Sequence, residues 1–282
     1  MKNRREFILG GAASLLVPKF ATSAPVKAML GAEGIHNIND EQTDITAASY
    51  IKDGLIALWD GIENAGFGIH DDEATVWTDL SGNGYDGVFV TSQLGTGYTW
   101  EPNAFVRHAN NANGMWTPID ISDTMLSACR DATFSIQMVT GSPVVNDDWT
   151  TQICNLCQTA SQSWATGITG LRRTASTGVI GTIAGYTYQT TESFYINPFD
   201  AIASVSLVLD GSSIALYNGT RLMWNKKPSI SPDGTISGVF ARLGSSAYAF
   251  RGRYMSYRIY NRPLTEAEVA YNYVIDNVRF GA

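Results

Sequence analysis

The chain has 282 residues, of which 44% are hydrophobic, 11% aromatic and only 16% charged, and its formal net charge is −7. A charged share this far below the roughly 25% of an average soluble chain excludes a charge-solvated, disordered polymer and leaves apolar residues for a large core. No apolar run reaches the ~20 residues that a membrane-spanning helix needs.

The first segment in chain order reads as an address. Lys2, Arg4 and Arg5 precede an apolar stretch from Phe7 to Val17, and the small residues Ala21-Thr22-Ser23 follow. This is the layout of an export peptide over 1–23, cut after Ser23. Asn3-Arg4-Arg5-Glu6-Phe7-Ile8-Leu9 resembles the twin-arginine signal of proteins carried across a bacterial inner membrane, and Lys19 after the apolar stretch suits it. A disordered basic N-terminus is the alternative. The expected location is the periplasm, the cell surface or the medium. The leader carries +3, so the remaining chain stands at −10. That balance excludes a nucleic-acid partner, whose phosphates need clustered Lys and Arg. Three cysteines cannot all pair. Cys154 and Cys157 lack the second pair that a tetrahedral zinc site requires, so they read as structural, with a local bridge or a pairing of Cys129 left open.

Residues 24–50 are polar and without period, a linker or arm, and 51–282 form one domain. Leu55-Ile56-Ala57-Leu58-Trp59 is a short apolar run ended by Asp60-Gly61, a strand buried on both faces. Next, Asp79, Ser81, Asn83 and Asp86 sit in a glycine-punctuated turn. Their oxygens suit either the backbone of that turn or a calcium ion held by Asp79, Asn83 and Asp86. From 201 to 209 the odd positions are apolar and Ser204 and Ser206 are not, which predicts a half-buried strand. Ile214–Tyr217 begins the next strand, and Asn218-Gly219 predicts a type I′ hairpin turn. Arg253 to Tyr260 alternates again. Thr265 and Glu268 form a capping box, Leu264 and Val269 a hydrophobic staple, and Val269 and Tyr273 one helix face.

Three stretches together carry a resemblance: Leu55–Trp59 with Trp77-Thr78-Asp79-Leu80-Ser81-Gly82-Asn83-Gly84-Tyr85-Asp86-Gly87; Val205–Leu222 with Leu216-Tyr217-Asn218-Gly219; and Phe250–Arg253 through Tyr257–Glu268. In this order they resemble the laminin-G-like, concanavalin A-like domains, with 95–200 matching only loosely. The resemblance implies an all-β fold, a two-sheet antiparallel jelly-roll sandwich with one short C-terminal helix. It further implies binding of a glycan or surface polymer, or of a surface protein, with calcium in some members and no organic cofactor. The Glu-x-Asp-x-x-Glu strand of the related glucanases is absent.

Catalysis finds little support among the motifs. Asp71-Asp72-Glu73, Asp147-Asp148 and Glu266/Glu268 lie in apparent turns or a helix cap, whereas glycoside hydrolysis needs two carboxyl groups facing each other across a bond. His70 beside Asp71 has no recognisable nucleophile partner. Sugar binding needs exposed rings beside placed polar groups. Asn146-Asp147-Asp148-Trp149 and Ser161-Gln162-Ser163-Trp164 offer two such places, and Tyr98, Trp100 and Trp116 around Asn110-Asn111 a third, although burial in the core is the ordinary fate of each Trp. The expected ligand-binding residues are therefore Trp149, Trp164, Asp147 and Asp148, in a non-catalytic exported binding module without a stable membrane span.

Overall fold

The computed structural model describes residues 45–89, 95–108, 116–119, 123–143, 150–157, 169–174, 179–184, 193–195, 202–226, 239–243 and 251–282. In chain order the strands are β1 (Leu55–Asp60), β2 (Val76–Trp77), β3 (Gly87–Val88), β4 (Tyr98–Glu101), β5 (Ala104–Arg107), β6 (Trp116–Ile119), β7 (Ser135–Pro143), β8 (Thr150–Cys157), β9 (Thr169–Thr174), β10 (Val179–Ala184), β11 (Ser193–Tyr195), β12 (Ala203–Leu209), β13 (Ile214–Asn218), β14 (Arg221–Lys226), β15 (Val239–Leu243) and β16 (Gly252–Tyr260). The helices are α1 (Asp123–Asp131) and α2 (Glu266–Phe280). The strands make two eight-stranded sheets. The first runs β14-β13-β12-β7-β16-β5-β4 with β1 also on β16, and the second runs β11-β10-β9-β8-β15-β6-β3-β2. This is the expected all-β, two-sheet antiparallel sandwich with its C-terminal helix.

Strand β16 is the hub of the first sheet. One of its edges pairs with β7, and the other is shared end to end by β1, from Leu55↔Tyr260 to Asp60↔Ser256, and β5, at Arg253↔Val106. Between the sheets lies an aromatic core to which β1, β4 and β5 give Trp59, Tyr98, Trp100 and Phe105, and the opposite side Trp77 and Phe89. Phe89 stacks on Phe105 at 4.6 Å between centroids, and Trp77 meets Trp100 edge-on at 5.3 Å. The buried indoles each donate their N–H to a carbonyl: Trp59 to Tyr85, Trp77 to Asp60 and Trp100 to Ala74. These three indoles thus enter the core with their donors satisfied.

Helix α1 was not foreseen. It is short, and its apolar residues Met125, Leu126, Ala128 and Cys129 join the inter-sheet core. Burial raises the Cys129 thiol far above its ordinary pKa, so it stays a neutral packing group.

Helix α2 begins as expected, with Thr265 accepting from the Glu268 N–H and the Glu268 carboxylate accepting from the Thr265 N–H. Leu264 and Val269 pack together on the outer side of the first sheet with Leu58, Val208, Ala215 and Tyr260. Because the helix covers that side, β12 is buried along its whole length and not half-buried as its alternation predicts. Ser204 and Ser206 face polar partners under the helix: Ser204 donates to Asp276, and Ser206 accepts from Gln137. The β13–β14 turn also differs from expectation. Asn218 pairs with Arg221, so Gly219 and Thr220 are the central residues. Only Gly219 has positive φ, at 58°, which is the type II′ pattern and not I′. Gly219 lies under the Tyr273 ring, where an added Cβ would come within 2.9 Å.

Candidate functional site

The outer face of the first sheet is sealed by charge as well as by apolar contact. Arg258 on β16 makes a two-pronged ion pair with Asp276 on α2, at 2.6 and 2.7 Å, and both side chains are fully buried. Tyr50 donates to the same carboxylate at 2.8 Å, and its ring lies 4.0 Å from the Arg258 guanidinium. Burial opposes the charge on Arg258, yet the Asp276 carboxylate beside it raises its pKa above the ordinary value. Burial, with Asp276 adding to it, also raises the Tyr50 hydroxyl, and burial pushes Tyr260 up to about 12, so both stay protonated and neutral. Asn272 extends the network, donating to Gln137 and Tyr260 and accepting the Ile51 N–H. A second knot joins Arg279 to Asp60 at 2.7 Å and Glu63 at 3.0 Å. Burial raises the Asp60 carboxyl in spite of that guanidinium. Asp60 and Glu63 are neighbouring carboxylates, but they are buried and shared by one cation, which leaves no access for a saccharide. Residues 45–50 belong to this packing, since Ala47 and Tyr50 are buried and Ile45 accepts from Arg279.

The turn over Asp79–Asp86 brings Asp79, Asn83 and Asp86 together, as expected, but the Asp79 and Asp86 carboxylates accept hydrogen bonds from the turn and β1. Asp79 Oδ1 accepts the N–H groups of Leu58 and Ser81, and Oδ2 accepts the Ser81 hydroxyl and the Tyr85 N–H. Asp86 Oδ1 accepts the Asp79 N–H, and the Asn83 amide nitrogen donates to the Leu55 and Ile56 carbonyls. Calcium takes six to eight oxygens with free lone pairs. The arrangement does not fit that requirement; it fits a turn stapled to β1. Among the described residues no three His, Cys, Asp or Glu side chains gather as a metal site.

The second sheet presents a different surface. Its pairing aligns Val76, Val88, Trp116, Arg242, Asn155 and Gly170 in one cross-strand row. Val76 and Val88 in that row are 38% and 48% exposed. Trp77, Ala241 and Leu171, each one residue out of step with it, are buried. Strand residues alternate faces, so the row lies on the outer face of the sandwich.

Two of the aromatic residues considered from sequence are excluded as ligand platforms, because Tyr98 and Trp100 are buried in the aromatic core. Trp116 falls in the outer row. Trp149, Trp164, Asp147 and Asp148 lie outside the described residues; in chain order Trp149 immediately precedes β8 and Trp164 belongs to the β8–β9 connection. A further surface feature escaped sequence reading. In the loop after β1, Asn64 is buried and clamps the Asp71 backbone from both sides at 2.8 Å, and Gly66 bridges to Ile69. The tip exposes Phe67 and Ile69, at 52% and 56%. Phe67 flanked by Gly66 and Gly68, both at positive φ, was the available signal.

No protein-family model and no curated protein matches the chain. Among solved structures, the Trypanosoma rangeli sialidase superposes with a TM-score of 0.59 at 12% identity over 79% of this chain. A mutant of that sialidase displaying trans-sialidase activity gives 0.57 at 12% identity over 81%. The chain spans about a third of the length of these enzymes, 33% and 34%. The likeness at this identity is one of fold, to a part of each enzyme. The CBM40 of a Ruminococcus gnavus IT-sialidase gives a TM-score of 0.45 at 14% identity, covering 60% of this chain and 95% of that one. No helix among the described residues is long and apolar enough to cross a membrane.

Proposed function

We propose that this chain is an exported, non-catalytic module of the laminin-G-like kind that holds a glycan or surface polymer on the outer face of its second sheet. The observation that carries the reading is a first sheet whose outer face is closed by α2, which leaves the second sheet, with Val76 and Val88 exposed, as the open face. The carboxylates of the described core are engaged with arginines or in the Asp79 turn, which supports binding over hydrolysis. Trp149, with Asp147 and Asp148, and Trp164 stand in the connections entering and leaving β8, the strand of Asn155, and serve in this reading to extend the site. Electrophoresis through gels containing soluble polysaccharides tests it. A retarded wild type and an unretarded Trp116→Ala with the same melting temperature are expected, and equal retardation of the two refutes the location.

The ordered, apolar tip at Phe67 and Ile69 favours a second reading, docking to a surface protein, since exposed apolar groups on a rigid loop mark interaction sites. Under that reading Phe67→Ser with Ile69→Ser abolishes partner capture and leaves polysaccharide retardation untouched.

A further inference from the structure

We propose that Asp60 and Glu63 share one proton in the folded protein, and that this proton closes a pH-sensitive clasp of residues 45–50 against β1 and α2. The two carboxyl groups sit on one cation. Arg279 reaches Asp60 Oδ1 at 2.7 Å through one terminal nitrogen and Glu63 Oε1 at 3.0 Å through the other, and all three side chains are 5% exposed or less. Two negative groups thus face one positive group where water cannot make up the difference. The other neighbours do not make it up either. Tyr50, from the N-terminal segment, is neutral and gives its hydroxyl to Asp276. Arg258 of β16 is matched by Asp276 of α2, and Ser256, opposite Asp60 on β16, is uncharged. Lys52 is exposed, and its ammonium turns to the Ala47 carbonyl. An excess buried charge is costly, and a carboxyl group escapes the cost by keeping its proton.

The oxygens show where the proton can sit. Asp60 Oδ1 accepts from the Ile62 and Glu63 N–H groups as well as from Arg279, and Glu63 Oε1 accepts from the Ala47 N–H. Asp60 Oδ2 and Glu63 Oε2 are also buried, and neither has a hydrogen-bond partner among the described residues. Two ionised carboxylates would leave both oxygens bare, whereas one carboxylic acid has an O–H to donate, and a pair so coupled titrates as a unit. Burial raises the Asp60 carboxyl in spite of Arg279, the direction that keeps the proton. The same cluster fastens the N-terminal segment: Ala47 donates to Glu63, and Ile45 accepts from Arg279 at 3.1 Å. Loss of the proton restores the excess charge, and the repulsion falls on Glu63, the side chain that holds Ala47. The folded chain then keeps a proton that the unfolded chain has released above about pH 4. This contribution to stability is therefore fullest towards pH 4 and is lost as pH rises through the raised folded value.

The test uses the full chain in urea titrations from about pH 5 to about pH 9, comparing wild type with Asp60→Asn and Glu63→Gln, whose amides copy the shape of a protonated carboxyl. Relative to either variant, the wild-type unfolding constant should rise by up to about tenfold per pH unit until the proton is lost, the slope of one proton. Infrared spectra at neutral pH should show the carbonyl band of a buried carboxylic acid in wild type and not in the variants. Hydrogen exchange of the peptide 45–51, corrected for the intrinsic rise of exchange with pH, should lose protection over the same window in wild type and keep it in Asp60→Asn. A wild-type-to-variant ratio that is flat across the range, with no acid carbonyl band, means two ionised carboxylates and overturns the inference. Protection of 45–51 that does not follow the titration overturns the clasp. Where neither variant folds, the wild-type infrared band decides: its presence at neutral pH and its disappearance on raising the pH support the shared proton, and its absence refutes it.

Discussion

Asp276→Asn tests the account of how α2 is held. The carboxylate accepts from both terminal nitrogens of Arg258, from Tyr50 and from Ser204, at 2.6 to 2.8 Å and out of contact with water. Asparagine keeps the shape but turns one acceptor into a donor and leaves the Arg258 charge buried and unanswered. Removing one partner of a buried pair costs about 3–5 kcal/mol. At roughly 2–4 °C per kcal/mol for a domain of this size, the melting temperature should fall by roughly 6–20 °C. Urea unfolding followed by circular dichroism and Trp fluorescence gives the free energy and its slope together. The replacement of both charges, Arg258→Met with Asp276→Leu, should recover most of the loss, since a desolvated pair is worth little more than a well-packed apolar one. A loss under about 1 kcal/mol for Asp276→Asn, or a double variant no more stable than the single one, would show that the pair is not what fastens the helix.

Two more perturbations have worked signs. The Arg262 guanidinium, with the Thr265 cap, holds the Glu268 carboxyl at about 2, below its ordinary 4.5. A depressed folded pKa contributes stability in full above the unfolded value and loses it as pH falls through the folded one. Glu268→Gln should therefore be less stable than wild type by about 1–2 kcal/mol at pH 6, allowing for its partial solvent contact, with the gap closing towards pH 2. A gap constant with pH in urea titrations refutes this. Asp79→Ala strands the buried Leu58 N–H and three other donors, for an expected loss of about 2–4 kcal/mol. Wild-type melting should be the same in calcium and in chelator; a rise with calcium contradicts the hydrogen-bonded account of the turn.

What the sequence disclosed were the features encoded locally. The β1 run, the β16 alternation and the Thr265 box are patterns of neighbours two to four residues apart, and each appears where expected. The polar side of β12 misled because its burial depends on Asp276 and Gln137, remote in sequence, which make Ser204 and Ser206 interior residues. Helix α1 is too short for a helical period to stand out from its surroundings. The row on the second sheet was illegible for a stronger reason. Trp116, Asn155 and Arg242 become neighbours only through two antiparallel pairings whose register no local pattern contains. Nothing local distinguishes Trp100 from Trp116, and only the pairing assigns them to different sheets.

The central position of β16 has a consequence for the order in which this molecule assembles. Strand β1 finds its partner only in β16, whereas β5 also pairs with β4 and β7 with β12, and the Tyr50–Asp276 contact closes a loop of 226 residues. Among the elements of the fold, β16 and α2 are the last to leave the ribosome. Long-range closure of this kind is slow, and strands left without their partner are prone to associate with other chains. Strand β1, which pairs with β16 alone, therefore stays unpaired until Gly252–Tyr260 has been made. Completion of the first sheet waits for its C-terminal strand.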